Sequence, residues 1–137
     1  MKTQQSEITA AHPVHAIMTT SIFTVDGGDP LRSVAAAMTH HRIGALVVIE
    51  EEAPTGIISE RDVVDALAEG GDPDEVWAAD MIGTHTLWAD PEDSVLHVAR
   101  LMRGAEVRHI PVSHEGELVG IVSLRDVLDV LTAAAES

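Results

Sequence analysis

The chain has 137 residues, no cysteine, and 23 acidic against eight basic side chains, for a formal net charge of −15. That charge repels DNA, RNA and anionic lipid surfaces, and one Phe, two Trp and no Tyr give no row of rings on which bases could stack. The length suits one ordinary domain or two half-domains too small to stand separately, with no run of about 18 apolar residues to span a bilayer and no apolar secretory stretch in MKTQQSEITAAHPVH.

In chain order, residues 1–13 read as a loose leader and 14–69 as a first repeat. Within it, Ile22 to Val25 is a short β-type run, and Asp29-Pro30 offers an N-cap and a first-turn proline for a helix ending near His41. Ala45 to Ile49 is a continuous apolar run that predicts a buried strand. The polar connection Glu50 to Pro54 leads to a second strand at Gly56 to Ile58, and Ser59 caps a helix to about Glu69. Residues 70–79 have the Gly, Asp and Pro content of a linker.

The second repeat, 80–133, predicts a strand at Leu87 to Ala89, a cap at Asp93, a helix over Val95 to Met102, strands at His109 to Val112 and Leu118 to Val122, and a helix from Ser123. Pro111 inside a strand implies an edge or a bulge. Residues 134–137 are a tail.

Two heptads tie the halves together: GIISERD from Gly56 to Asp62 and GIVSLRD from Gly120 to Asp126, 64 residues apart. Leu31, Val34, Ala35 and Met38 have partners at the same offset in Val95, Val98, Ala99 and Met102. One unbroken offset marks a duplicated supersecondary unit, and halves of this size are expected to share a core.

The heptad supports two readings. Ser-x-x-Asp at a helix start is close to a capping box, and glycine at a strand entry can mean only a turn or close packing. Alternatively, the free amides of a helix start form an anion site. Ser59 or Ser123 then adds a hydroxyl, Arg61 or Arg125 counters phosphate, and Asp62 or Asp126 accepts ribose hydroxyls. Gly56 and Gly120 would let a planar base approach the backbone.

With HRIGALVVI at His41 to Ile49, VRHIPV at Val107 to Val112 and the lead-ins Ile17 to Thr19 and Asp80 to Ile82, the heptads resemble the paired cystathionine beta-synthase (CBS) domain over nearly the whole chain. The resemblance implies an α/β (α+β) fold of two βαββα repeats about a pseudo-twofold axis. It also implies two clefts that bind adenosine compounds such as AMP, ADP, ATP, with or without Mg, or S-adenosylmethionine. Carried over by position, cleft A joins Ile43, Gly44 and Ala45 to Gly120, Ile121, Ser123, Arg125 and Asp126. Cleft B joins Val107, Arg108 and His109 to Gly56, Ile57, Ser59, Arg61 and Asp62. Arg108, His109 and Glu60 make cleft B bulkier and more charged than cleft A, so A is expected to bind adenylate more tightly.

Eight histidines invite a metal hypothesis, but the neighbours His40 and His41 point apart on a helix and no carboxylate stands at a ligand spacing. Glu50-Glu51-Glu52 reads as a solvated turn, and Trp77 and Trp88 as packing or interface residues. No nucleophile-and-base grouping emerges, so no enzymatic activity is expected. The expectation is a cytoplasmic regulatory sensor of an adenine nucleotide that acts on an unknown regulated protein or on its own assembly, with a ligand-free interaction module as the alternative and a S-adenosylmethionine or divalent-metal sensor behind both. The family commonly forms homodimers through helix faces, for which Val63, Leu67, Val127 and Leu131 are candidate surface.

Overall fold

The computed structural model describes residues 8–82 and 86–136. They form two compact units whose limits differ from those of the sequence repeats. Unit I is Ser21–Thr86, and unit II combines the chain up to Thr20 with the chain from Leu87 onward.

In unit I, β1 (Thr24–Asp26), α1 (Leu31–His41), β2 (Ala45–Glu50), β3 (Ala53–Ser59) and α2 (Glu60–Ala68) follow in βαββα order, and a short α3 (Ala78–Met81) comes after. β2 lies between β1, which it pairs in parallel, and β3, which it pairs antiparallel. Ala45 to Val48 are all buried, so β2 is covered on both faces and reads as unbroken apolar sequence, with Leu46 and Val48 on the face toward the core. Leu31, Val34 and Met38 at helical spacing meet Leu46, Val48, Ile58 and Val63 in the core. Each such side chain contributes about 1.5–3 kcal/mol when fully buried.

In unit II, a 3-10 turn (Val14–Ala16) precedes α4 (Val95–Ala105), β4 (His109–His114), β5 (Glu117–Ser123) and α5 (Leu124–Glu136). Val95, Val98, Met102, Ile110, Val112, Val122 and Val127 form its core. The predicted strand at Leu87 to Ala89 is reduced to one bridge, Ala89 to Val112. Two prolines of unit II remove donors that unit I uses: Pro91, the counterpart of Gly27, whose N–H donates to the Ile49 carbonyl at 3.0 Å, and Pro111. In unit I, Val47 N–H donates to the Phe23 carbonyl at 3.1 Å and extends the β1 ladder, whereas Pro111, its counterpart, has no N–H to offer Leu87.

Two predicted caps are also corrected. Pro30, not Asp29, occupies the N-cap position of α1, and Ser94, not Asp93, caps α4 by accepting from His97 N–H at 3.0 Å. Asp29 and Asp93 instead accept the backbone N–H groups of Asp26 and Asp90 at 2.9 and 2.8 Å. The first amides of α1 find carbonyls from a distant segment: Leu31 donates to Val76 at 2.7 Å and Arg32 to Pro73 at 2.9 Å. In unit II, Val95 donates to His12 and Leu96 to Ala10, both at 2.9 Å. Residues 8–13, predicted to be loose, are therefore hydrogen-bonded to the α4 start, and residues 1–7 of that leader lie outside the described residues. The predicted linker likewise docks on α1, where Arg32 and Asp74 make a two-pronged ion pair at 2.7 and 3.0 Å. At the C-terminus, α5 runs to Glu136, so residues 134–136 of the predicted tail are helical.

The lead-ins belong to the opposite repeat's core. Val14, at the start of the first repeat, is fully buried in unit II, and Ala78, 64 residues later, is fully buried in unit I. Thr19 bridges Ile121 on β5 through two backbone hydrogen bonds, at 2.8 and 3.0 Å. Among the described residues no helix is long and apolar enough to cross a membrane.

Candidate functional site

Each heptad runs along a strand and into the helix that follows. In unit I, Gly56, Ile57 and Ser59 lie on β3 opposite Val48, Val47 and Ala45. The Gly44 carbonyl accepts from Glu60 N–H at 3.0 Å, which brings Gly44 and Ala45 beside the start of α2, while Ile43 N–H closes the end of α1 on the Met38 carbonyl. Unit II repeats the arrangement. Gly120, Ile121 and Ser123 face Val112, Pro111 and His109, and the Arg108 carbonyl accepts from Leu124 N–H at 2.7 Å. Val107 N–H likewise returns to Met102. The structure thus gathers Ile43, Gly44 and Ala45 with the heptad of their own repeat, and Val107, Arg108 and His109 with the other.

The Ser and Asp side chains cap their helices. Asp62 Oδ2 accepts from Ser59 N–H at 2.7 Å, and Ser59 Oγ accepts from Asp62 N–H at 3.3 Å, completing a capping box. Asp126 Oδ2 and Ser123 Oγ make the same exchange with the partner N–H groups, both at 3.1 Å. Of the two readings of the heptad, capping is therefore what these side chains do in this structure. Each carboxylate uses only Oδ2 in doing so.

The glycines are also engaged by the protein. A Cβ on Gly56 would collide with Ile82, and one on Gly120 would lie 2.5 Å from Met18 Sδ and 3.1 Å from the Thr19 carbonyl. The close approach that glycine permits is taken by the lead-in segments.

The two helix starts are not equivalent. Ser59 Oγ also donates to Asp62 Oδ2 at 2.9 Å, a bond that Ser123 does not repeat among the described residues. Arg61 pairs with Asp65 at 3.5 Å, whereas Arg125 makes no ion pair among the described residues. Glu60 adds a negative charge at the α2 start where α5 opens on Leu124. Among the described residues the α5 start therefore has no ion pair at Arg125, and its cap uses one oxygen of the Asp126 carboxylate.

Two of the four candidate self-association residues are corrected and two keep accessible surface. Val63 and Val127 are buried core residues, while Val64, Leu67 and Leu128 are exposed and Leu131 is half-buried. Among the described residues no three His, Asp or Glu side chains are placed to hold a metal ion. His41 stacks on Phe23 with ring centroids 4.0 Å apart, a contact for which the sequence carried no pattern.

Comparison with known proteins accounts for the duplication. The CBS domain family matches residues 14–69 and 78–133. An uncharacterized protein of Methanopyrus kandleri is 36% identical over 71% of this chain and 51% of its own length, so the chain spans about half of that relative. Hypoxic response protein 1 of Mycobacterium tuberculosis is 31% identical over 81% of this chain and 79% of its own. A crystal structure of Hypoxic Response Protein I with two coordinated zinc ions superposes with a TM-score of 0.75 at 29% identity, covering 85% of this chain and 97% of that one. A hexameric CBS-CP12 protein from bloom-forming cyanobacteria gives 0.76 at 29% identity, covering 85% and 69%. Paired CBS domains are a general regulatory and signal-transduction module, and this chain belongs to the CBS domain family, carrying two CBS domains in tandem.

Proposed function

We propose that the pair senses an adenine nucleotide, with the α5 start as its principal binding element and the α2 start as the weaker one. The observation that carries this reading is Arg125, without an ion pair among the described residues, beside Ser123 and Asp126 in a protein where acids outnumber bases 23 to eight. Asp126 Oδ1 would accept the ribose hydroxyls, and Ser123 with Arg125 would address phosphate. Capping is compatible with this role, because it fixes the carboxylate and leaves one oxygen outward. The bound nucleotide acts by favouring one arrangement of the protein or of its assembly over another, and the reading contains no catalytic step. The strongly negative chain favours AMP, cationic S-adenosylmethionine or magnesium-bound ATP over free ATP.

A thermal-shift panel of AMP, ADP, ATP and S-adenosylmethionine, each with and without magnesium, tests the reading, since a ligand selective for the folded state raises Tm. AMP is expected to raise it. Flat responses throughout would favour the second reading, an interaction module without a small ligand, which the filled glycine positions and the exposed Val64, Leu67 and Leu128 support. Zinc belongs in the same panel because of the ions in the Hypoxic Response Protein I structure.

A further inference from the structure

Unit I carries a concavity of about 490 Å³ whose wall is Trp77, ringed by the carboxylates of Asp26, Glu50, Glu51 and Asp80 over Gly27 and Gly28. Trp77 keeps 43% of its surface exposed, although its backbone is fixed by a bridge to Pro30 and by its place at the N-cap of α3. No Lys, Arg or His lines the concavity, and none of its four carboxylates has an ion pair among the described residues.

The internal repeat supplies a comparison at the 64-residue offset. Asp26, Glu50, Glu51 and Ala79 correspond to Asp90, His114, Glu115 and His15, and Trp77 corresponds to Pro13. In unit II the acids at these positions have imidazole partners within the chain. His114 lies 3.9 Å from Asp90 and 3.8 Å from Glu115, and His15 lies 3.6 Å from Glu92. Unit I has Glu50 and Ala79 in place of those bases and an indole where its copy needs only a proline, so the fold does not require the ring there.

We propose that this concavity is a docking site for a lysine- or arginine-bearing peptide segment of a partner protein. The occupant is an organic cation because the acids surround a broad space, and among the described residues no three of them converge as metal ligands. An indole wall adds attraction for a guanidinium or ammonium group and accepts its apolar stem. The chain's negative field steers such a segment toward it.

The test uses the full chain with Trp88→Phe, so that Trp77 is the only indole, titrated with a tri-arginine peptide at about 150 mM salt. A saturable change in Trp77 fluorescence is expected. Asp80→Asn combined with Glu51→Gln should weaken binding roughly tenfold, and Asp90→Asn in unit II should leave it unchanged. Calorimetry on Trp77→Leu should show a loss of at least about threefold. Should the double variant fail a circular-dichroism check, Glu51→Gln alone, on an exposed turn, should give a loss of about threefold. The proposal is overturned by absence of saturation, by equal affinity in a folded Glu51→Gln variant, or by an equal response to magnesium chloride at matched ionic strength, which would mean a diffuse field.

Discussion

Asp126 accepts the backbone N–H of Ser123 at 3.1 Å while Ser123 Oγ accepts that of Asp126 at the same distance, so one pair of side chains closes the α5 start from both sides. Its removal therefore has two separable consequences. Asp126→Ala is expected to cost about 1 kcal/mol of stability through the cap and also to abolish the AMP-induced rise in Tm. Asp62→Ala should cost a similar amount through the unit I box and leave a measurable AMP response. Denaturant unfolding reads the first effect and calorimetry with AMP the second. Loss of binding with Asp62→Ala alone would reverse the proposed ranking of the two helix starts.

Val64 and Leu128 occupy equivalent positions on α2 and α5 and are 59% and 47% exposed, so they test self-association without touching the core. If the apolar stripe joins copies, light scattering on the wild type should give a multiple of the chain mass at micromolar concentration. Val64→Glu with Leu128→Glu should then return the monomer with stability nearly unchanged, since exposed substitutions usually fall within about 0.5 kcal/mol. A monomeric wild type would remove the assembly expectation.

Pro111 and Val47 make the opposite prediction for the two sheets. Pro111→Val supplies the amide that Val47 uses toward Phe23, so amide 111 should become protected from hydrogen exchange and the Leu87 end of the chain should gain a ladder bond. The gain of about 0.5–1.5 kcal/mol for the bond is offset by about 0.4–1 kcal/mol from the freer unfolded chain, so protection is the decisive readout. Val47→Pro should destabilise by about 1 kcal/mol or more, because it removes the ladder bond to Phe23 from the central strand of the sheet. An unprotected amide at 111 would show that something besides the missing donor shortens the strand.

These cases indicate what the sequence makes legible. Leu31, Val34 and Met38 announce α1 because a 3.6-residue period needs only local information, and Ser59 with Asp62 announces a cap because both partners lie within one turn. The α1 start was not legible, since its amides are met by Val76 and Pro73, more than 40 residues away, and no local pattern encodes that contact. Pro111 announces a disturbed strand, yet its effect, with that of Pro91, falls on the neighbouring Leu87 to Ala89 segment, where both withhold donors that unit I supplies. Leu67 is exposed as its sequence position suggests, whereas Val63 is core and Val64 is exposed, because one residue is about 100° of helix rotation and adjacent valines look alike. At the candidate site the residue types were legible, but their engagement in capping and the filling of the glycine positions by Ile82 and Met18 depend on three-dimensional placement.

The turn between β2 and β3 holds Glu51 and Glu52 at φ 52° and 64°, whereas the matching turn of unit II holds Glu115 at 52° and Gly116 at 82°. Only glycine adopts that region without steric cost, which for other residues is about 1–2 kcal/mol. Glu52→Gly should therefore stabilise the chain by about 1 kcal/mol in urea unfolding, and Gly116→Glu should destabilise it by a similar amount. A loss of stability with Glu52→Gly would mean that the glutamate side chain contributes more than its backbone costs.

The Arg32–Asp74 pair fastens the 70–79 segment to α1, and its hydrogen bonds, reinforced by charge, hold the Asp74 carboxyl below and the Arg32 guanidinium above their ordinary values. For an acid whose folded pKa is depressed, the linked stability is fully present above the unfolded value, about 3.9, and is lost as pH falls through the folded value. Arg32 remains charged throughout that range, so the window is set by Asp74 alone. Asp74→Asn should lower Tm modestly at pH 6, and the gap from wild type should close as the pH drops below about 4. Because both groups are solvent-exposed, about 1 M salt should shrink the gap at pH 6 as well. A gap that persists unchanged from pH 6 to pH 2 would show that Asp74 acts through packing and not through its charge.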